Sequence, residues 1–328
     1  MHEHGNEGGV RIAHVGTLQL QETSPYQRVA AHGRFHAAID TVSGKTYLAE
    51  VFRFGKLRED RSTFTVIEEN LAIGMSIDHP SIVKCYGRID SPTTRTVLWQ
   101  NFNISNISLK QIGDLHTQQV CILDLLTACA VLEAHGCYEI CQSSVVVVDD
   151  PSPTRSVKLM VLPGQPVLDL GGRVCASLDG MPPELARSEK VGVGTTLWGA
   201  GVVAFRMLTK SVPFGDGVRP PKKLQHILNC SFDVRKLNSF SPLAADFFAS
   251  IFKPRKEDRA SADVLMHHPW FDETINSEEK AQILCSDVLR ELISPGLLPP
   301  DIVNHLTSHI PYVERWALRT SVERPPSG

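Results

Sequence analysis

Apolar and polar residues alternate with period two through the first third of the chain. "LQLQE" from Leu18, "RFHAAID" from Arg34, "TYLAEVF" from Thr46, "VKCYGRI" from Val83 and "TVLWQNF" from Thr96 each predict a strand, with turns such as "TVSGK" and "DSPTT" between them. One stretch breaks the rhythm. "STFTVIEENLAIGMSI", residues 62–77, repeats its apolar positions at helical spacing and has to end before Pro80. Beyond about residue 108 the helical period takes over. "QQVCILDLLTACAVLEAHG" predicts a long apolar helix closed by Gly136, and "TTLWGAGVVAFRMLTK" a helix apolar nearly all round and therefore buried. "PLAADFFASIF" and "SADVLMHHPWF" predict two more, and short strands near 144–148 and 156–161 flank the turn "DDPSPT". Within "TYLAEVF" one residue does not fit: Glu50 is a charge between apolar neighbours.

A β-rich third with one helix, followed by a helical remainder with a small β-ribbon, predicts a two-lobed α+β protein. The expected divisions are a flexible tail at 1–16, a small lobe at 17–107, a large lobe at 108–272 and a helical extension at 273–328. That extension holds "EEKAQILCSDVLRELI" and "PPDIVNHLTSHIPYVERWAL".

Composition narrows the function classes. The 328 residues are 42% hydrophobic and 21% charged with a formal net charge of −3, so no basic excess points to nucleic acid. No apolar run approaches the about 18 residues that cross a bilayer. The opening "MHEHGNEGGVR" lacks a basic start followed by an apolar stretch, which predicts a cytoplasmic or nuclear setting without membrane attachment. Eight scattered cysteines without a C-x-x-C pair read as reduced thiols in preference to a zinc site.

Four segments, in order, resemble landmarks of eukaryotic protein kinases. "DHPSIVKCYG" is similar to "HPNIV.LYG", "MPPELA" to the "APE" closing the activation segment, "LWGAGVVAFRMLTKSVPFGDG" to "DVWSLGVILYELLTGRPPF", and "KEDRASADVLMHHPWF" to "DP.KRPSA.ELL.HPWF". The resemblance covers roughly 17–272, implies the bilobal kinase fold, and leans to the serine/threonine kinases. It implies too that the polar devices of phosphoryl transfer are missing. The glycine-rich loop falls on Arg28, Ala30 and Gly33, with only the last a glycine. The strand lysine falls on Glu50, an anion that would repel phosphates, and its partner glutamate on Asn70, with Glu68 and Glu69 facing elsewhere. The "HRD" triplet falls on Glu139, Ile140 and Cys141, which puts Cys141 in place of the catalytic aspartate, Ser143 in place of the lysine and Val146 in place of the metal-binding asparagine. Val161, Leu162 and Pro163 stand at "DFG"; a register using Asp169 leaves too short a segment before Glu184.

The resemblance therefore implies a pseudokinase: no catalytic residue, no metal ligand and no cofactor, with a scaffold or allosteric role exercised on protein partners such as an active kinase or a signalling complex. The alternative is an atypical serine/threonine kinase that uses ATP and magnesium through non-standard residues. What is kept is architectural. Glu184 and Arg259 stand where kinases place a buried ion pair, and Trp198, Gly201, Pro269 and Trp270 are expected to pack, while Thr196 replaces the core helix's aspartate. Glu50 is expected at a cleft lip that need not be dry, with a partner from the other lobe. In the tail, Ile310, Val313, Trp316 and Leu318 beside charges suit a partner's groove, although packing on the chain's own large lobe is the favoured alternative.

Overall fold

The computed structural model describes residues 12–15, 17–21, 34–53, 71–79, 81–101, 109–136, 145–148, 156–159, 178–237, 239–277, 279, 280 and 283. The chain divides into two compact units, Met1–His268 and Pro269–Gly328. The first holds both lobes.

Six strands form one antiparallel sheet: β1 (Ile12–Val15), β2 (Leu18–Gln21), β3 (Arg34–Asp40), β4 (Thr46–Arg53), β5 (Cys85–Asp90) and β6 (Thr94–Gln100), in the order β1-β2-β3-β4-β6-β5. β1 lies inside the stretch expected to be a tail; its four residues pair with β2 across a tight connection, so ladder hydrogen bonds order a segment that carries no long apolar run of its own. The only helical part described in this lobe is α1, residues 71–76, which the chain enters after β4. β5 then lands at the sheet edge, and the hairpin to β6 returns the chain beside β4. Arg95 ties that hairpin, donating to Asp90 at 2.7 and 3.0 Å.

The sheet is apolar on both faces because strand alternation is apolar at both parities. Phe35, Leu48, Val97 and Trp99 fill one face, and Leu18, Leu20, Ala38 and Ala49 form a buried cluster on the other. Residues 81–83 leave the small lobe by pairing with β8 (Ser156–Leu159): Val83 donates to the Leu159 carbonyl at 2.7 Å, and Leu159 to the Ser81 carbonyl at 2.8 Å. β8 pairs in turn with β7 (Val145–Val148).

The large lobe is built on two buried helices. α2 (Leu115–Ala134) starts at Asp114, whose side chain accepts from the Thr117 N–H at 2.7 Å, and stops before Gly136 at φ +73°. By length and composition it could cross a membrane, which corrects the expectation that no segment comes close. Its most apolar window is 67% buried, as suits a core helix. α3 (Pro183–Ala186) is a single turn, and α4 (Thr195–Thr209) is buried along nearly its whole length. α5 (Pro220–Leu228) was not predicted: two prolines and two lysines at its start hide a helix that buries only Lys223 and Ile227. α6 (Pro242–Ile251) and α7 (Ala262–Met266) are capped by Ser241 and Ser261. Trp198 of α4 stacks on Phe214 at 5.0 Å and meets Phe252 edge-on at 5.1 Å. Gly201 allows the close approach of α4 and α6, since a Cβ there would lie 2.7 Å from Ile251 Cγ2.

In the second unit, Pro269–Glu273 forms a 3-10 turn with Trp270 and Phe271 buried, and Lys280 donates to Asp272 at 2.7 Å. The predicted helices beyond it lie largely outside the described residues.

Candidate functional site

β4 carries Glu50 to the middle of the sheet, opposite Phe35 of β3 and Val97 of β6. It is 1% exposed. Leu48, two residues back on the same face, is paired with Trp99, and this register brings the indole diagonally onto the carboxyl. Trp99 Nε1 donates to Glu50 Oε2 at 3.2 Å. Burial pushes the Glu50 carboxyl up to about 8, and the Trp99 hydrogen bond opposes this without reversing it. At neutral pH Glu50 is therefore mostly a neutral acid. The expectation that Glu50 need not be dry and takes a partner from the other lobe is corrected on both counts: the side chain is buried in the sheet's packed face, and its partner is Trp99 of the neighbouring strand. Phosphate repulsion by a charge at 50 fails with it. What remains is a carboxylic acid where a cation would have to stand.

Cys85 of β5 pairs with Trp99, and burial pushes its thiol up to about 11, with Glu50 adding to the effect; such a thiol is inert. Lys45, at the opposite parity from Glu50, lies over the Tyr86 ring at 4.3 Å and takes no part in the site.

A second constellation sits in the large lobe. Arg259 donates to both oxygens of Glu184, Nη1 to Oε1 at 2.9 Å and Nη2 to Oε2 at 2.6 Å. Nη1 also reaches the Gly194 carbonyl at 2.8 Å, and Nε the Lys253 carbonyl at 3.3 Å. The guanidinium lies 5.0 Å over the Trp198 ring, and Thr195 Oγ1 donates to Glu184 Oε1 at 2.8 Å. Burial raises the Glu184 carboxyl, but the Arg259 hydrogen bonds and charge outweigh it and hold the group below its ordinary range. Lys223 of α5 bonds Asp179 at 2.5 Å, and Arg187 donates to the Pro254 carbonyl at 2.9 Å, so the stretch 178–194 is fastened at several points.

Of the residues singled out from sequence, Glu50 stands in the sheet, Glu184 and Arg259 in the large lobe, and Val146 on β7 opposite Lys158. Arg28, Ala30, Gly33, Asn70, Cys141, Ser143 and Val161 lie outside the described residues, as do Ile310, Val313, Trp316 and Leu318. Sequence reasoning missed Trp99 and Glu133; each meets its partner only through tertiary register, 49 and 61 positions away. Among the described residues no three His, Cys, Asp or Glu side chains converge as a metal site would need.

The protein kinase domain family matches residues 171–271. The muscle M-line assembly protein unc-89 of Caenorhabditis elegans is 25% identical over 287 residues, which cover 81% of this chain and 3% of that protein. Serine/threonine-protein kinase 17A of Oryctolagus cuniculus is 21% identical over 77% of this chain and 69% of its own length. Myosin light chain kinase family member 4 of Homo sapiens is 22% identical over 76% of this chain and 66% of its own. Among solved structures, Rad53 1-466 in complex with AMP-PNP superposes with a TM-score of 0.62 at 18% identity, covering 78% of this chain and 65% of that one, a likeness of fold. The two-lobed architecture is protein-kinase-like, residues 171–271 match the protein kinase domain family, and the chain as a whole is similar in sequence to serine/threonine kinases.

Proposed function

We propose that this chain is a pseudokinase, a kinase-like scaffold or allosteric regulator that acts by binding proteins and not by transferring phosphate. The observation that carries this reading is Glu50. In phosphoryl transfer the protein's work is electrostatic positioning of a polyanion, and a strand lysine supplies part of the positive charge. Here the residue aligned with that lysine is an acid, 1% exposed and hydrogen-bonded to Trp99. It offers no cation and no path to one. Cys141, Val146 and Val161, aligned with the catalytic aspartate, the asparagine and the DFG aspartate, bring no magnesium-binding carboxylate or amide. Retention of the Glu184–Arg259 pair supports a scaffold kept without its chemistry. Protein partners, such as an active kinase or a signalling complex in the cytoplasm or nucleus, follow from the same reading, with no role for nucleic acid or membrane.

A thermal-shift titration of the full chain with ATP and magnesium tests it. A ligand at 100 times its Kd stabilises by about 2.7 kcal/mol, a shift of several degrees. The expected result is no shift with ATP, magnesium or both. A saturable shift that needs both would overturn the reading and favour the atypical kinase.

A further inference from the structure

The backbone of Gly194 is gripped on both sides. Its N–H donates to Glu133 Oε1 at 2.8 Å, and its carbonyl accepts from Arg259 Nη1, also at 2.8 Å. The same guanidinium nitrogen donates to Glu184, so an acid on α2, the backbone of one glycine, a cation and a second acid stand in a row, each bonded to the next. Thr195 Oγ1 extends it, donating to Glu184 and accepting from the Gly192 N–H at 3.0 Å. Only glycine suits position 194: φ is +87°, and a Cβ would stand 2.7 Å from the Lys256 carbonyl oxygen.

Glu133 is poorly placed for its own helix. An acid in the last turn of α2 faces the negative end of the helix dipole, whereas the N-terminus of α4, where Gly194 is the cap, favours one. A glycine cap has no side chain to accept an N–H, and α4 has no acidic residue in its first turn. Glu133 supplies the missing acceptor from another helix. Burial raises its carboxyl, opposed by the Gly194 N–H and the Arg259 charge. We infer that Glu133 is a positioning residue that joins the end of α2, the start of α4 and the Glu184–Arg259 pair, so that the last turn of α2 and the stretch 178–194 move as one element. This coupling stands whether or not the chain binds nucleotide.

Amide hydrogen exchange on the full chain tests it, with Glu133→Ala and Glu133→Gln compared to the parent. A lost bond to a charged acceptor should speed local opening about tenfold or more. That increase is expected at the amides of Ser188 and Glu189, which bond back to Leu185 and Glu184, while α6 stays unchanged. Glutamine keeps an oxygen for the Gly194 N–H and should restore most of the protection. If Glu133→Ala does not fold, Glu133→Asp, one methylene too short to reach, takes its place with the same expected exchange. Effects confined to the last turn of α2, or equal for Gln and Ala, would overturn the coupling. So would strict additivity of Glu133→Ala with Arg259→Lys in denaturant unfolding.

Discussion

Replacing Arg259 by alanine should lower the unfolding free energy by about 3–5 kcal/mol, a large share of the stability of an ordinary domain. The side chains of Arg259 and Glu184 are 0% and 1% exposed, so the truncation leaves a carboxylate inside the protein without its cation. It also strips a donor from the carbonyls of Gly194 and Lys253 and empties the space over Trp198. Lysine at 259 keeps the charge but not the fork. Three point donors on a flexible stem cannot span both Glu184 oxygens and the Gly194 carbonyl together, so Arg259→Lys should recover less than half of the loss. The pair also fixes the acid sensitivity of this region. The folded-state pKa of Glu184 lies below its unfolded value near 4.5, so the stabilisation is present above that value and fades as pH falls through the folded one. Urea titrations at pH 7 and pH 3.5 measure both effects. A loss under 1 kcal/mol for Arg259→Ala at pH 7, or one as large at pH 3.5 as at pH 7, would show that the pair is not the anchor its geometry describes.

The legible part of this fold is the part whose signal is local. "TYLAEVF" alternates cleanly, and β4 runs where the alternation does; the Thr195–Thr209 helix follows from an apolar run too long for a strand and bounded by Gly194 and Lys210. α5 was hidden because its helical face needs only two buried residues, and the prolines that start it carry no apolar period to mark a helix. β1 was hidden because a four-residue edge strand next to glycines is specified by its neighbour's ladder and not by itself. The Glu184–Arg259 pair was legible only through resemblance to kinases. Trp99 and Glu133 were beyond any local rule, since each is placed by register between elements far apart in the chain. The misjudged charge state of Glu50 has the same origin. A carboxyl's pKa depends on what covers it, and the strand pattern says which face it is on but not how closely that face is packed.

The alkaline behaviour of the small lobe should therefore follow Glu50. Its folded-state pKa is about 8 against an ordinary value of 4.5, so the folded state holds a proton that the unfolded chain releases. Stability is full below about pH 4.5, declines as pH rises at up to about 1.4 kcal/mol per pH unit, and is lost past about pH 8, in all roughly 3–5 kcal/mol. Glu50→Gln removes the titration while leaving an oxygen for Trp99 Nε1. The variant should match the parent near pH 5 and exceed it by several kcal/mol at pH 8.5 in urea unfolding. Parallel pH profiles for the two proteins would mean that Glu50 is ionised within the fold and that its surroundings compensate the charge. Glu50→Lys is a different experiment from the restoration of a kinase lysine that the aligned position suggests. An ammonium among Phe35, Leu48, Val97 and Trp99 has no acceptor in place of the carboxyl, and the Trp99 N–H loses the one it had. That variant should melt well below the parent and should recover somewhat as pH rises and the lysine discharges, the opposite slope to that of the parent. On the pseudokinase reading phosphotransfer should not appear at any pH, since Cys141, Val146 and Val161 still stand at the positions aligned with the catalytic aspartate, the asparagine and the DFG aspartate.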